Sequence, residues 1–104
     1  MRDANEDDRE TVTAIPRVLV SYDASQRWRR ERTMVNHYLF GRTVTAQLKG
    51  RRKKYHYPGL ISKRGVERLG QSVFMMREED ADEFTALLKK LGVLYTRERI
   101  WVEG

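Results

Sequence analysis

Asp80-Ala81-Asp82-Glu83-Phe84-Thr85-Ala86-Leu87-Leu88-Lys89-Lys90-Leu91-Gly92 is the clearest helix in the chain. Ala81, Phe84, Leu87, Leu88 and Leu91 fall on one face at helical spacing, and Gly92 suits the position just past a helix end. Acids crowd the start (Glu78, Glu79, Asp80, Asp82, Glu83), while Lys89 and Lys90 sit near the end, an arrangement that complements the helix dipole. Asp80 and Glu83 have the spacing of a capping box, with Asp in place of Ser or Thr. Helix stability is therefore a sufficient account of the acidic cluster. Elsewhere the strong patterns read as strands, so this helix makes the chain α+β.

Working outward, Val93–Val102 reads as a closing strand and Val66–Met76 as the strand before the helix. Ile15, Val18, Leu19 and Val20 form a short apolar run that ends at Tyr22-Asp23, a first strand with Pro16 near its start. From Met34 to Leu48 one parity carries Met34, Asn36, Tyr38, Phe40, Val44, Ala46 and Leu48, the alternation of a half-buried strand, with a bend at Gly41-Arg42. Lys49–Lys53 then reads as a hairpin loop and Lys54–Ile61 as the returning strand, with Pro58-Gly59 marking an edge or an early end. Residues 25–32 fit either a basic helical turn or a loop. The expected architecture is a small, mainly antiparallel sheet of four to five strands, with one amphipathic helix (about 80–91) on one face.

At 104 residues the chain is one domain with a modest core. Hydrophobic residues are 39% and charged residues 35%, which implies a thin core under a charge-rich surface. Residues 1–12 read as a disordered acidic tail and 13–104 as the domain. The tail has little to bury. It is either simply solvated or able to fold back on a basic surface. Cysteine is absent, which excludes disulfides and thiolate zinc sites. The chain has no apolar run near the ~20 residues of a membrane span and no signal-peptide pattern at its start, so a cytoplasmic protein is expected.

Charge is the leading functional signal. Between Arg27 and Arg68 there are thirteen Lys/Arg against Glu31 and Glu67, a net +11. Such a field favours a polyanion, because each phosphate neutralised releases counterions. Arginine outnumbers lysine fifteen to six, and its planar fork suits phosphates and base faces. A charge-rich surface is also common in heat-adapted proteins. Within the block, Arg27, Arg29, Arg30 and Arg32 surround Trp28, which either stacks on a base or anchors a surface loop to the core. Lys49, Arg51, Arg52, Lys53 and Lys54 form a hairpin tip running into Tyr55 and Tyr57, which share a strand face opposite His56. These tyrosines offer rings for base stacking. An open sheet face would offer another such platform.

Catalytic signals are thinner. His37 and His56 lie on different predicted strands and define no metal site, and the glycines have no phosphate-loop spacing. Serines 21, 25, 62 and 72 lack a nucleophile-elbow context. Asp23 ends the first strand, where a carboxylate either holds a divalent cation or caps the following turn.

Val18-Leu19-Val20-Ser21-Tyr22-Asp23 with its Arg-rich sequel, and Gln71-Ser72-Val73-Phe74 with the helix and final strand after it, resemble the Cas2 family of CRISPR-associated proteins. That resemblance implies a ferredoxin-like fold and a metal-binding role for the aspartate matching Asp23. It covers about 35 residues in two short pieces. Where that family has a long helix, Asn36–Ile61 reads here as strands, and the chain is not assigned to the family.

The function expected from sequence is non-catalytic nucleic-acid binding, with RNA or single strands favoured, as part of a nucleoprotein assembly. No catalytic residue, metal or cofactor is assigned. A metal-dependent nuclease using Asp23 and a subunit docking an acidic protein are the alternatives. Trp101 on the final strand is expected to pack on the core, with a homodimer through it left open if that strand lies at a sheet edge. The expected binding residues are Arg27, Trp28, Arg29, Arg30, Arg32, Lys49, Arg51, Arg52, Lys53, Lys54, Tyr55 and Tyr57. This reading requires the two basic knots to converge on one side of the sheet.

Overall fold

Strand β1, Ala14–Asp23, runs through a four-stranded antiparallel sheet ordered β4-β5-β1-β6. The computed structural model describes residues 13–103, so the tail expected at 1–12 lies outside them. The other sheet strands are β4 (Glu67–Gly70), β5 (Val73–Met76) and β6 (Leu94–Glu103). Pro16 lies where β1 has β6 beside it but has passed the end of β5, whose pairing covers Val18–Ser21. A residue without an N–H is tolerated at such a place.

Two helices cover one face of this sheet: α1, Arg29–Phe40, and α2, Glu78–Lys90. Val18, Val20, Phe74 and Met76 meet Val35 and Leu39 of α1 and Ala81, Phe84 and Leu88 of α2 in one core. Phe84 is fully buried, edge-on to Tyr22 with ring centroids 5.7 Å apart and stacked on Tyr38 at 5.6 Å. Burying a side chain of that size contributes roughly 1.5–3 kcal/mol.

Helix α1 replaces the strand expected from Met34 to Phe40. The alternating set Met34, Asn36 and Phe40 is exposed, whereas Val35 and Leu39, four residues apart, are buried. A helical stripe with Tyr38 beside it decided the structure, and the period-2 pattern was incidental. Gly41 ends α1 with φ 79° and ψ −177°, a region essentially confined to glycine.

The expected strand Val66–Met76 is a hairpin, β4 and β5, turning at Gln71-Ser72 with an irregular register between Arg68 and Gly70. The capping box does not form: the N-cap of α2 is Arg77, with no side-chain cap. Asp80 is instead buried and accepts a hydrogen bond from Lys63 Nζ at 3.0 Å. Asp82 and Glu78 pair with Arg97 (3.0 Å) and Arg99 (2.8 Å) of β6, which tie α2 to the sheet.

Strands β2, Arg42–Leu48, and β3, Arg51–Tyr57, pair only with each other and form an arm between α1 and β4. A short 3-10 turn, Leu60–Ser62, leads back toward the sheet. Setting the arm aside, the order is β-α-β-β-α-β with β1 and β5 central, the split βαβ or ferredoxin-like arrangement. The strand reading of Asn36–Ile61 argued against that arrangement. It had merged the end of α1 with an inserted hairpin.

Candidate nucleic-acid interface

The arm is built around its tip. Lys49 and Gly50 both have positive φ, 50° and 77°, as a two-residue type I′ turn requires. The loop is therefore shorter than the expected Lys49–Lys53, and β3 starts at Arg51. This turn fixes the register from Leu48↔Arg51 to Arg42↔Tyr57. At the base, Gly41 and Gly59 pass in close backbone contact, and a Cβ on Gly41 would stand 2.8 Å from the Gly59 nitrogen.

That register sorts the side chains by face. Tyr55 and Tyr57 share one face with Arg42, Val44, Ala46, Leu48, Arg51 and Lys53. Arg52, Lys54 and His56 share the other with Thr43, Thr45 and Gln47, and Thr43 Oγ1 lies 3.2 Å from His56 Nδ1. The tyrosine face meets no other sheet: Leu48 is 48% and Tyr57 52% exposed. Lys53 Nζ lies 5.7 Å from the Tyr55 ring centroid and Arg42 Cζ lies 5.6 Å from that of Tyr57. Cations therefore stand beside both rings, and among the described residues none of them forms a salt bridge; Arg42–Tyr57 itself contains six Lys/Arg and no Asp or Glu. Sequence reading missed Arg42. The signal was the Lys49-Gly50 turn, from which Arg42 pairs with Tyr57 by counting outward.

The other knot lies at the opposite end of α1. Arg27 packs its guanidinium over Gly92, and Trp28 is the α1 N-cap by backbone geometry only. Trp28 is 80% exposed, so it does not anchor this loop to the core. Arg29, Arg30 and Arg32 lie exposed in the first turn of α1, and Arg32 donates to the carbonyl of Arg27. Twelve helical residues, about 18 Å, separate this knot from the base of the arm. The length of α1 thus holds the two knots apart at its two ends.

Among the described residues, the face of the main sheet away from the helices offers no aromatic stacking platform. Register and alternation put Ile15, Arg17, Leu19, Ser21 and Asp23 there, with Val73, Met75, Leu94, Thr96, Glu98, Ile100 and Val102, none of them aromatic. Trp101 lies on the edge strand β6 and is 63% exposed, where core packing was expected.

Asp23 caps its own turn. Its Oδ1 accepts hydrogen bonds from Ser25 Oγ (2.6 Å) and Ser25 N (2.9 Å), which hold its pKa below the ordinary value of 3.8. Among the described residues no three His, Cys, Asp or Glu side chains gather as a metal site. No described helix is long and apolar enough to cross a membrane.

Models of known protein families give no match to this chain, and searches of curated proteins and of solved structures give none either. The two short Cas2-like pieces therefore carry no family assignment, and the functional reading rests on the chain's own residues.

Proposed function

We propose that this protein binds nucleic acid without catalysing a reaction on it, preferring RNA or other single strands, and that the β2–β3 arm is the principal contact. The observation that supports this reading is the pairing of Tyr55 and Tyr57 with Arg42, Arg51 and Lys53 on one face of the arm, Tyr57 exposed and Tyr55 half-buried. Alternate residues of a strand repeat at about 6–7 Å, so the two rings can each accept one base of an extended strand. The cations beside them meet the phosphates. Arg52 and Lys54 on the reverse face add to the field, as do Arg29 and Arg30 at the far end of α1. Such a protein suits a place in a nucleoprotein assembly, where the arm reaches past the body of its own domain.

The test is binding of the full chain to single-stranded RNA, single-stranded DNA and a duplex across a salt series. The expected result is steeply salt-dependent binding, tightest for a single strand and weakened by Tyr55→Ala. Absence of binding at low salt overturns the reading and favours an acidic protein as partner. Strand cleavage that requires magnesium and vanishes in Asp23→Ala overturns its non-catalytic part.

A further inference from the structure

A second cationic feature lies away from the tip of the arm. Between α1, the end of β1 and the β4–β5 turn is a cleft of about 310 Å³. Arg32, Asn36 and Phe40, at i, i+4 and i+8 of α1, form one wall; Arg68, Gln71 and Ser72 form the other. Tyr22, Asp23 and Ser25 close its end.

Both arginines are held by backbone carbonyls. Arg68 Nε donates to Gly70 O and Nη2 to Gln71 O, each at 3.0 Å. Its Cζ lies 5.0 Å from the Phe40 ring centroid and 5.9 Å from that of Phe74. Arg32 donates Nη1 to the carbonyl of Arg27. Among the described residues neither arginine forms a salt bridge. A guanidinium fixed in this way keeps its full charge and its remaining N–H donors, and has already lost the side-chain freedom that binding would otherwise cost. Hydroxyls of Ser72 and Tyr22 and amides of Asn36 and Gln71 supply further donors in the same lining, whereas the Ser25 hydroxyl is spent on Asp23. Asp23 is the one acid of the lining among the described residues, and its Oδ1 is engaged by Ser25.

We propose that this cleft is a phosphate site, in which Arg32 and Arg68 together hold a phosphate monoester. The monoester is either a free nucleotide or the terminal phosphate of a bound strand. The second source rests on the nucleic-acid reading above, whereas the first does not. Recognition is by paired guanidinium forks, which match phosphate oxygens in number and geometry. Asp23 opposes the anion and limits its affinity.

Titrating the full chain with a nucleoside 5′-monophosphate, and with the unphosphorylated nucleoside, tests the site directly. The monophosphate is expected to bind and the nucleoside not. Arg32→Gln, an exposed position, should weaken the monophosphate by about tenfold or more, as should Arg68→Lys, which keeps the charge but loses the fork. Asp23→Asn should tighten it, and Tyr55→Ala should leave it unchanged. Equal affinity in wild type and Arg32→Gln, or no monophosphate binding at all, overturns the proposal. Oligonucleotides with and without a 5′-phosphate separate the two sources. A preference for the phosphorylated end that disappears in Arg32→Gln assigns the site to strand ends, and monophosphate binding without that preference assigns it to free nucleotides. Should no oligonucleotide bind, the arm reading fails, while the monophosphate titration still decides the cleft.

Discussion

Asp80 and Lys63, seventeen residues apart in sequence, meet at 3.0 Å, with Asp80 buried and the Lys63 ammonium at the surface. The hydrogen bond and charge of Asp80 raise the Lys63 pKa above its ordinary 10.5. A folded-state pKa raised in this way contributes stability that is complete below the ordinary value and is lost as pH climbs through the raised one. The melting-temperature gap between wild type and Lys63→Met should therefore stay constant from neutral pH to about pH 10 and close above it. A gap that widens at alkaline pH would contradict the pairing. Asp80→Ala should lower stability at neutral pH, measured by denaturant unfolding.

Phe84 and Tyr55 should separate stability from binding. Phe84 touches both Tyr22 and Tyr38 in the core, so Phe84→Ala should lower stability by about 3–5 kcal/mol. Tyr55→Ala and Tyr57→Ala lie on an arm that pairs with no other strand and should change stability by no more than about 0.5 kcal/mol. In the same two variants, single-strand affinity should fall by about 1–3 kcal/mol per base lost from a ring. Anisotropy titrations alongside thermal melts read both quantities.

Arg52 and Lys54 project from the face of the arm opposite the tyrosines. Neutralising either to Gln should reduce the slope of log affinity against log salt by about 0.7 on single strands, if each meets one phosphate. An unchanged slope in both variants would confine phosphate contact to the tyrosine face.

Gly41→Ala should be among the most damaging surface changes. The residue sits at φ 79° in a region closed to side chains, and its Cβ would press on the Gly59 nitrogen. A loss of about 1–3 kcal/mol is expected from the backbone conformation, with close contact adding to it. Gly50→Ala, also at positive φ but with open space around it, should be the milder change, and urea unfolding of both variants checks the order.

The sequence made β1, α2, the arm and β6 legible because each carries a local signal: an apolar run, a helical stripe, a turn between alternating strands. Helix α1 was not. Its buried side comes down to Val35 and Leu39 with Tyr38 partly covered, too narrow a stripe to outweigh the accidental parity of Met34, Asn36 and Phe40. The split at Gln71-Ser72 was hidden because its flanks are short, four residues on each strand. On the candidate interface, the shared face of Tyr55 and Tyr57 followed from alternation. The separation of the two basic knots did not, since it depends on α1 lying between them. The cleft of Arg32 and Arg68 was equally out of reach, for it needs the contact of a helix with a β-turn far along the chain.

Gly41 and Gly59 bring the chain back almost to the point where it left. The arm is thus an excursion with coincident ends, and the six elements around it close their topology whether it is long, short or missing. Joining Gly41 to Gly59 directly would leave a β-α-β-β-α-β domain without its arm. Lengthening β2 and β3 in step would carry Lys49 further out without moving a core residue. Reach, in this protein, can vary independently of the fold that supports it.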